Sequence, residues 1–506
     1  MGLAVVFSRC VHGSEALSIR VETHLSNGLP SCSLVGLPET AVRESRERVR
    51  SAIINSGFEF PQRRITINLA PGDVPKDGTR FDLAIAVSIL AASNQVPAGM
   101  LEHNEFVAEL ALDGSLRTVR AGIATAVACT RAGRDLIVGS SSAGNACLVP
   151  DARIRAAGNL RDVAAHLGGI ETLPLCQPGP PVGASPSLPD LADVYGQQQA
   201  RRALELAASG GHNLLMMGPP GTGKSMLAAR LSGILPPLSD DDALAVASLH
   251  SIAGLERDPQ AWACRAFRSP HHSASPAAIT GGGREPAPGE MSLAHLGVLF
   301  FDELPEFDRR ALEALREPLE QRSVSISRAS GRYVFPANFQ FVAAMNPCPC
   351  GYLGDPAIDC QCTNQAIDRY RSRLSGPLVE RIDLQVQVPR QTRDLLANTT
   401  GAESSDAVQR RVVHIRTLQL ERQGILNAAL EGAALKLHCE MDADARELLA
   451  RSIEHFALSA RGHHKILRVA RTLADIDGHP RLSQAHLAEA IGYRLFDRGA
   501  QTATRP

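Results

Sequence analysis

No run of about 18 apolar residues occurs anywhere in the chain, so nothing in it predicts a membrane-spanning helix. Net charge is nearly absent as well. The 52 Lys and Arg against 53 Asp and Glu leave −1, so binding to nucleic acid would have to rest on local basic loops rather than on a global field. The opening stretch, MGLAVVFSRCVHG, has neither a basic leader nor a small-residue cleavage site, and a cytoplasmic protein is therefore expected. A disulfide framework is also missing from the pattern: eleven cysteines is an odd number. Cys10, Cys32, Cys129, Cys147, Cys176, Cys264 and Cys439 are scattered singly, which predicts reduced thiols in apolar surroundings.

What remains is an ordinary globular composition, 44% hydrophobic and 21% charged over 506 residues. At roughly 150 residues per domain, that length predicts about three domains. The chain is organised around LLMMGPPGTGKS, residues 214–225. The apolar run Leu214 to Met217 meets a glycine-rich turn, and Gly223, Lys224 and Ser225 open a segment, MLAARLSGIL, with helical periodicity. Strand, loop and helix with Gly218, four residues, then Gly-Lys-Ser is the phosphate-binding P-loop pattern. Glycines let backbone N–H groups curl around phosphates, the helix N-terminus adds positive potential, and the lysine supplies a mobile point charge. Gly218, Pro219, Pro220, Gly221, Thr222, Gly223, Lys224, Ser225 and Met226 are thus candidates for holding ATP, with Ser225 on Mg2+.

VLFFDELPEF is the second landmark, an apolar strand that delivers Asp302 and Glu303 at its carboxyl end, where parallel α/β sheets bind ligands. Asp302 would complete the magnesium shell through water, and Glu303 would orient or deprotonate the attacking water. Lys224 and Asp302 stand 78 positions apart, against ~60 for two crossovers of ~30 residues each. The surplus predicts an insertion, and SPHHSASPAAITGGGREPAPGE is the odd segment in that interval. Residues 269–290 read either as a loop projecting into a pore, carrying His271, His272 and Arg284, or as an ordinary surface loop. SVSISRASGRYVFPANF reads as a β-hairpin with Arg328 and Arg332 near its tip, placed for phosphate contact or simply solvated. Four thiols, Cys348, Cys350, Cys360 and Cys362, then lie within CPCGYLGDPAIDCQC. They fit a tetrahedral structural zinc site, although CxC is tighter than the usual CxxC, and free or redox-active thiols are the alternative.

Upstream, residues 1–172 alternate strand-like segments (ALSIRVETHL, RITINLA) with helical ones (ETAVRESRERVRSAIINSG). The proline-, glycine- and serine-rich stretch 173–190 reads as a linker. Residues 191–390 form the nucleotide-binding core, and 391–506 read as helical. Through PKDG the first segment resembles the Lon-protease-like domain, with a departure. The serine expected two residues after Lys76-Asp77-Gly78 is Arg80, following Thr79, and the dyad lysine's position falls near Ile123. Without an activated nucleophile the covalent route has no start, and a non-proteolytic scaffold is expected; a hydrolase built on Ser88 or Thr79 lacks a placed base.

Together PKDGTRFDL, GGHNLLMMGPPGTGKS, SPHHSASPAAITGGG, LAHLGVLFFDELPEF, AAMNPCPCGY and SGPLVERIDL make the chain resemble the YifB/ComM family of magnesium-chelatase-like AAA+ proteins. The resemblance implies an α/β AAA+ P-loop NTPase core with a helical lid, preceded by an α+β Lon-protease-like domain. It also implies site roles: Tyr195 and Gly196 against the adenine base, Asn346 as the sensor on the attacking water or γ-phosphate, Arg381 as an arginine finger acting on a neighbour, and Arg461 as the second sensor arginine. For Tyr195 and Gly196 a plain helix N-terminus is the other reading, and for Arg381 a surface ion pair. The function implied is a homo-hexameric, ATP-driven DNA helicase that promotes branch migration on single-stranded or branched DNA as DNA is integrated during natural transformation, with recombination proteins as further partners. An unfoldase or a magnesium-chelatase-type remodelling subunit is the alternative.

Overall fold

A computed structural model describes residues 2–76, 78–177, 188–283, 286–328, 331–391, 402–456 and 458–494. Among them, seven strands form a mixed sheet in the first part of the chain. These are β1 (Gly2–His12), β2 (Glu15–Ser26), β3 (Ser31–Val35), β4 (Arg64–Ala70), β5 (Asn104–Val107), β8 (Asp135–Gly139) and β9 (Ile154–Ala157), in the order β3-β4-β2-β1-β5-β8-β9. The two-residue strands β6 (Glu109–Leu110) and β7 (Leu116–Arg117) pair beside it. The longest ladder is the antiparallel β1–β2 hairpin, while β5, β8 and β9 run parallel. Helix Asp82–Ala92 is buried along its whole length, which explains the uninterrupted apolar reading of DLAIAVSILAA. Burying side chains such as Ile85, Ile89 and Leu90 contributes roughly 1.5–3 kcal/mol each.

Leu173 is buried in this first core and Leu175 bridges Arg155, so one end of the proline-rich stretch packs against the sheet. Cys147 and Cys176 are joined as a disulfide, Cα atoms 6.2 Å apart. That corrects the expectation that both are free thiols. Sequence spacing carries no information on which segments fold together, and here residues 173–176 run back along β9, with the Cys176 N–H donating to the Ile154 carbonyl.

The second sheet is wholly parallel, in the order β11 (Phe267–Arg268), β14 (Val298–Phe301), β17 (Gln340–Met345), β10 (Leu214–Met217) and β18 (Leu384–Gln387). Its strands read as continuous apolar runs because helices cover both faces. Between β11 and β14 lie helix Pro276–Thr280 and a small ladder of β12 (Gly281–Gly282) with β13 (Ala287–Pro288). β15 (Ser323–Arg328) and β16 (Gly331–Pro336) form an antiparallel hairpin. It leans on the turn end of the β1–β2 hairpin, where the Tyr333 and His12 rings lie 4.4 Å apart, and Tyr333 and Phe335 share a cluster with Ala121, Ala124, Leu249 and Ile252. Helices Ser405–Gln423, Ala443–Phe456, Ala460–Ile476 and Gln484–Gly492 pack at the carboxyl end of the chain, and no helix among the described residues is long and apolar enough to cross a membrane.

A buried polar network ties these helices to the sheet. His212 bonds Thr472 of helix Ala460–Ile476 at 2.8 Å, its Nδ1 is buried with no partner among the described residues, and burial pushes it down to about 4 against the pull of Asp383. Folded His212 is therefore neutral where the unfolded residue, at ~6.5, would be protonated. Below that value the unfolded state binds more protons, so stability should be lost as pH falls from about 6.5 towards 4, by up to ~1.4 kcal/mol per pH unit for this group. Urea midpoints at pH 7.5 and 5 should show a shallower pH slope in His212→Gln than in the wild type, and equal slopes would refute this account.

Candidate functional site

Lys224, Ser225, Asp302 and Asn346 converge at the carboxyl end of the parallel sheet because β10, β14 and β17 run side by side and in one direction. The turn after β10 starts at Gly218, whose N–H donates to the Met345 carbonyl at 3.2 Å. A Cβ at Gly218 would lie 2.1 Å from the Val388 carbonyl oxygen, so only glycine lets the chain leaving β18 pass this close. Thr222 closes the turn by donating to the Pro219 carbonyl at 3.0 Å, and Pro220 stands exposed on its crest. Helix Lys224–Ile234 then begins with its first N–H groups facing the turn.

The Lys224 ammonium donates to the carbonyls of Gly218 and Pro219, both at 2.8 Å, and to Asn346 Oδ1 at 3.3 Å. Burial lowers its pKa, while the negative charges of Asp302 and Glu303 oppose the shift. Ser225 Oγ donates to Asp302 Oδ2 at 2.6 Å, so a hydroxyl and a carboxylate, the hard oxygen donors that Mg2+ prefers, already face each other. Asp302 Oδ1 accepts the Glu303 N–H at 3.0 Å. Glu303 sits at φ +54, a left-handed conformation uncommon for a residue with a side chain and typical of functional turns. Its exposed carboxylate lies 3.7 Å from His272 Nδ1 of the inserted segment.

Tyr195 is half exposed and Gly196 packs on the Gln391 amide. Between them and the P-loop stands Gln197, which sequence reasoning missed. Its Nε2 donates to the carbonyls of Pro389 at 2.8 Å and Thr222 at 3.3 Å, pinning the segment before helix Gln198–Gly210 to the turn. One glutamine at a helix entry carries no signal in sequence. Met226 faces solvent beside Gly223.

Arg381 and Arg461 lie elsewhere. Arg381 precedes β18 and is held at the amino ends of the strands, where Asp383 accepts the Asn213 N–H at 2.8 Å and Lys465 bonds both Asp383 Oδ1 (2.5 Å) and the Arg381 carbonyl (2.8 Å). Its guanidinium reaches Glu320 Oε1 at 2.6 Å, and the same oxygen is 3.4 Å from Arg461. The strands between are four residues long, which at ~3.3 Å per residue puts this cluster more than about 10 Å from Lys224. A cleft of about 1300 Å³ opens at this end of the sheet, lined in part by Arg381, Arg461, Lys465, Arg468 and Arg265.

Arg328 and Arg332 are exposed on the hairpin. Arg332 donates to Ser325 Oγ at 3.0 Å, and the Arg328 guanidinium lies beside Gly282 of the insertion. Arg284 falls outside the described residues. The Cys348, Cys350, Cys360 and Cys362 sulfurs all lie within 4.8 Å of one another, directly after Asn346. Four converging thiols are a donor set that fits zinc.

Three family models match the chain: the magnesium chelatase subunit ChlI over residues 190–396, subunit ChlI of Mg-chelatase over 21–142, and the ChlI C-terminal region over 402–494. The uncharacterized protein YifB of Salmonella typhimurium is 48% identical over 98% of both chains. The competence protein ComM of Haemophilus influenzae is 47% identical, again over 98% of both. More distantly, the DNA replication licensing factor Mcm6 of Drosophila melanogaster is 21% identical over 62% of this chain and 37% of its own.

Proposed function

The chain belongs to the YifB/ComM family of magnesium-chelatase-like AAA+ ATPases, and from that premise we propose that it is a ring-forming motor that couples ATP hydrolysis to the movement of DNA. Lys224 and the N–H groups of the P-loop bind the triphosphate, with Tyr195 and Gly196 against the base. Ser225 and Asp302 would hold Mg2+, which supplies positive charge to the phosphate oxygens. Glu303 orients the attacking water and takes its proton, and Asn346 bonds that water or the γ-phosphate.

One observation carries the ring: Arg381 and Arg461 share Glu320 at the opposite end of the sheet from Lys224. An arginine more than about 10 Å from its own P-loop cannot reach its own γ-phosphate, but it can serve the site of a neighbour. A complete site then takes two subunits, and a closed homo-hexamer satisfies every subunit equally. The names of two relatives, a competence protein and a DNA replication licensing factor, support DNA as the polymer moved. Arg284, Arg328 and Arg332 would contact its phosphates, and branch migration during homologous recombination is the specific task we assign.

The first domain we read as a Lon-like scaffold without protease chemistry. Ser88 is buried against Thr23 and the Ile85 carbonyl, Thr79 donates to Glu109, and the Lys76 ammonium is sequestered on the Pro71 carbonyl. None of these contacts pairs a hydroxyl with a lysine, as the Ser-Lys dyad requires.

The test is dissociation of a labelled four-way junction with ATP. Wild-type protein should separate the arms, whereas Lys224→Ala and Arg381→Ala proteins should each fail alone. Mixed together they should recover a measurable fraction of the rate, because the intact P-loop of one subunit meets the intact arginine of the other. Full activity from isolated single subunits, or no junction dissociation by the wild type, would overturn the proposal.

A further inference from the structure

We propose that the four cysteines hold one zinc ion and that this metal knuckle positions the nucleotide site, bracing Asn346 and the crest of the P-loop for turnover. The proposal rests on the ATPase reading above. Between β17 and helix Asn364–Arg371 the chain runs through residues 346–363 with no helix or strand, longer than the ~12–15 residues at which structureless loops become uncommon. Something must fix it, and the thiols do. Cys348, Cys350 and Cys360 have sulfurs 3.4 to 3.6 Å apart, close to the ~3.8 Å edge of a tetrahedron with 2.3 Å zinc–sulfur bonds. The N–H groups of Cys350 and Cys362 point at the sulfurs of Cys362 and Cys360, the outer hydrogen bonds that orient thiolate ligands.

The same loop touches the nucleotide site at three points. Asn346, which accepts from Lys224, is two residues from the first ligand, Cys348. Gly351, at φ +86, packs directly on Pro220, where a Cβ would meet the ring Cδ at 2.8 Å. Asp355 pairs at 3.0 Å with Arg390, the residue after Pro389, whose carbonyl takes the Gln197 amide that also bonds Thr222. Releasing the metal frees all three contacts together, whereas the strands and helix that carry Lys224 and Asp302 stay packed. Nucleotide binding should therefore outlast turnover.

The experiment uses full-length protein and compares wild type, Cys360→Ser, Cys362→Ser and Gly351→Ala. Metal content by plasma emission should give about one zinc per chain in wild type and Gly351→Ala and almost none in the serine variants. ATP turnover should fall roughly tenfold or more in the serine variants, with ATP affinity kept within about threefold. Gly351→Ala should lose turnover while keeping its zinc, which separates the brace from the metal and does not depend on the serine variants folding. Cobalt-substituted wild type should show the visible sulfur-to-metal bands of a tetrahedral thiolate site. Absence of zinc and of those bands refutes the metal site. Unchanged turnover in zinc-free protein and in Gly351→Ala refutes the brace. Zinc-replete wild type with no ATP turnover at all refutes the motor reading instead.

Discussion

Lys224→Ala protein should bind ATP at least ~30-fold more weakly than wild type, and titration calorimetry should show little or no heat at concentrations that saturate the parent. The ammonium sits at the centre of the turn, 2.8 Å from two P-loop carbonyls and 3.3 Å from Asn346, on the first residue of its helix. Burial lowers its pKa, and the negative charges of Asp302 and Glu303 oppose that shift by favouring the charged form. Removing one partner of a buried, hydrogen-bonded charge pair costs about 2–5 kcal/mol, or roughly 30- to several-thousand-fold. The fold should survive, because the hydrogen bonds of the Lys224 ammonium go to two loop carbonyls and one side-chain amide rather than to the strands and helices of the core. ATP affinity within threefold of wild type would remove Lys224 from the site.

Glu303→Gln should do the opposite, keeping ATP affinity while lowering kcat by about 10²- to 10⁴-fold, the range for loss of a general base. The amide has the same shape as the carboxylate but takes up no proton, and Asp302, which faces Ser225, is untouched. Binding and chemistry are thereby separated, and a loss in kcat with no loss in affinity is the signature of a group acting in the transition state. The left-handed backbone at Glu303 aims its side chain out of the strand end, towards the inserted segment that carries His272. Turnover within threefold of wild type at saturating ATP would show that another group activates the water.

The P-loop, the Asp-Glu pair after an apolar strand and the four-cysteine run were legible because each packs its chemistry into a few consecutive residues. A phosphate cradle needs glycines next to a lysine, and a metal knuckle needs thiols within one loop. The hairpin was legible for the same reason, since alternating strands around Ala-Ser-Gly fold back on themselves without help. Gln197, Glu320 and the Lys465–Asp383 pair were not. Each is an unremarkable polar residue in sequence, and each matters only through a partner far along the chain, as Glu320 does by collecting Arg381 and Arg461. The disulfide between Cys147 and Cys176 was missed on the same ground.

Sequence alone thus determined that this protein has a nucleotide-binding strand–loop–helix, an acidic strand end and a cysteine knuckle, because those devices depend on local order in the chain. Tertiary structure alone decided that the arginines gather at the other end of the sheet, that the knuckle leans on Pro220, and that the hairpin rests on the first sheet through Tyr333 and His12. The physical reason is that parallel strands fix which ends coincide in space. That alignment comes from burying apolar faces across the whole chain, not from any one segment.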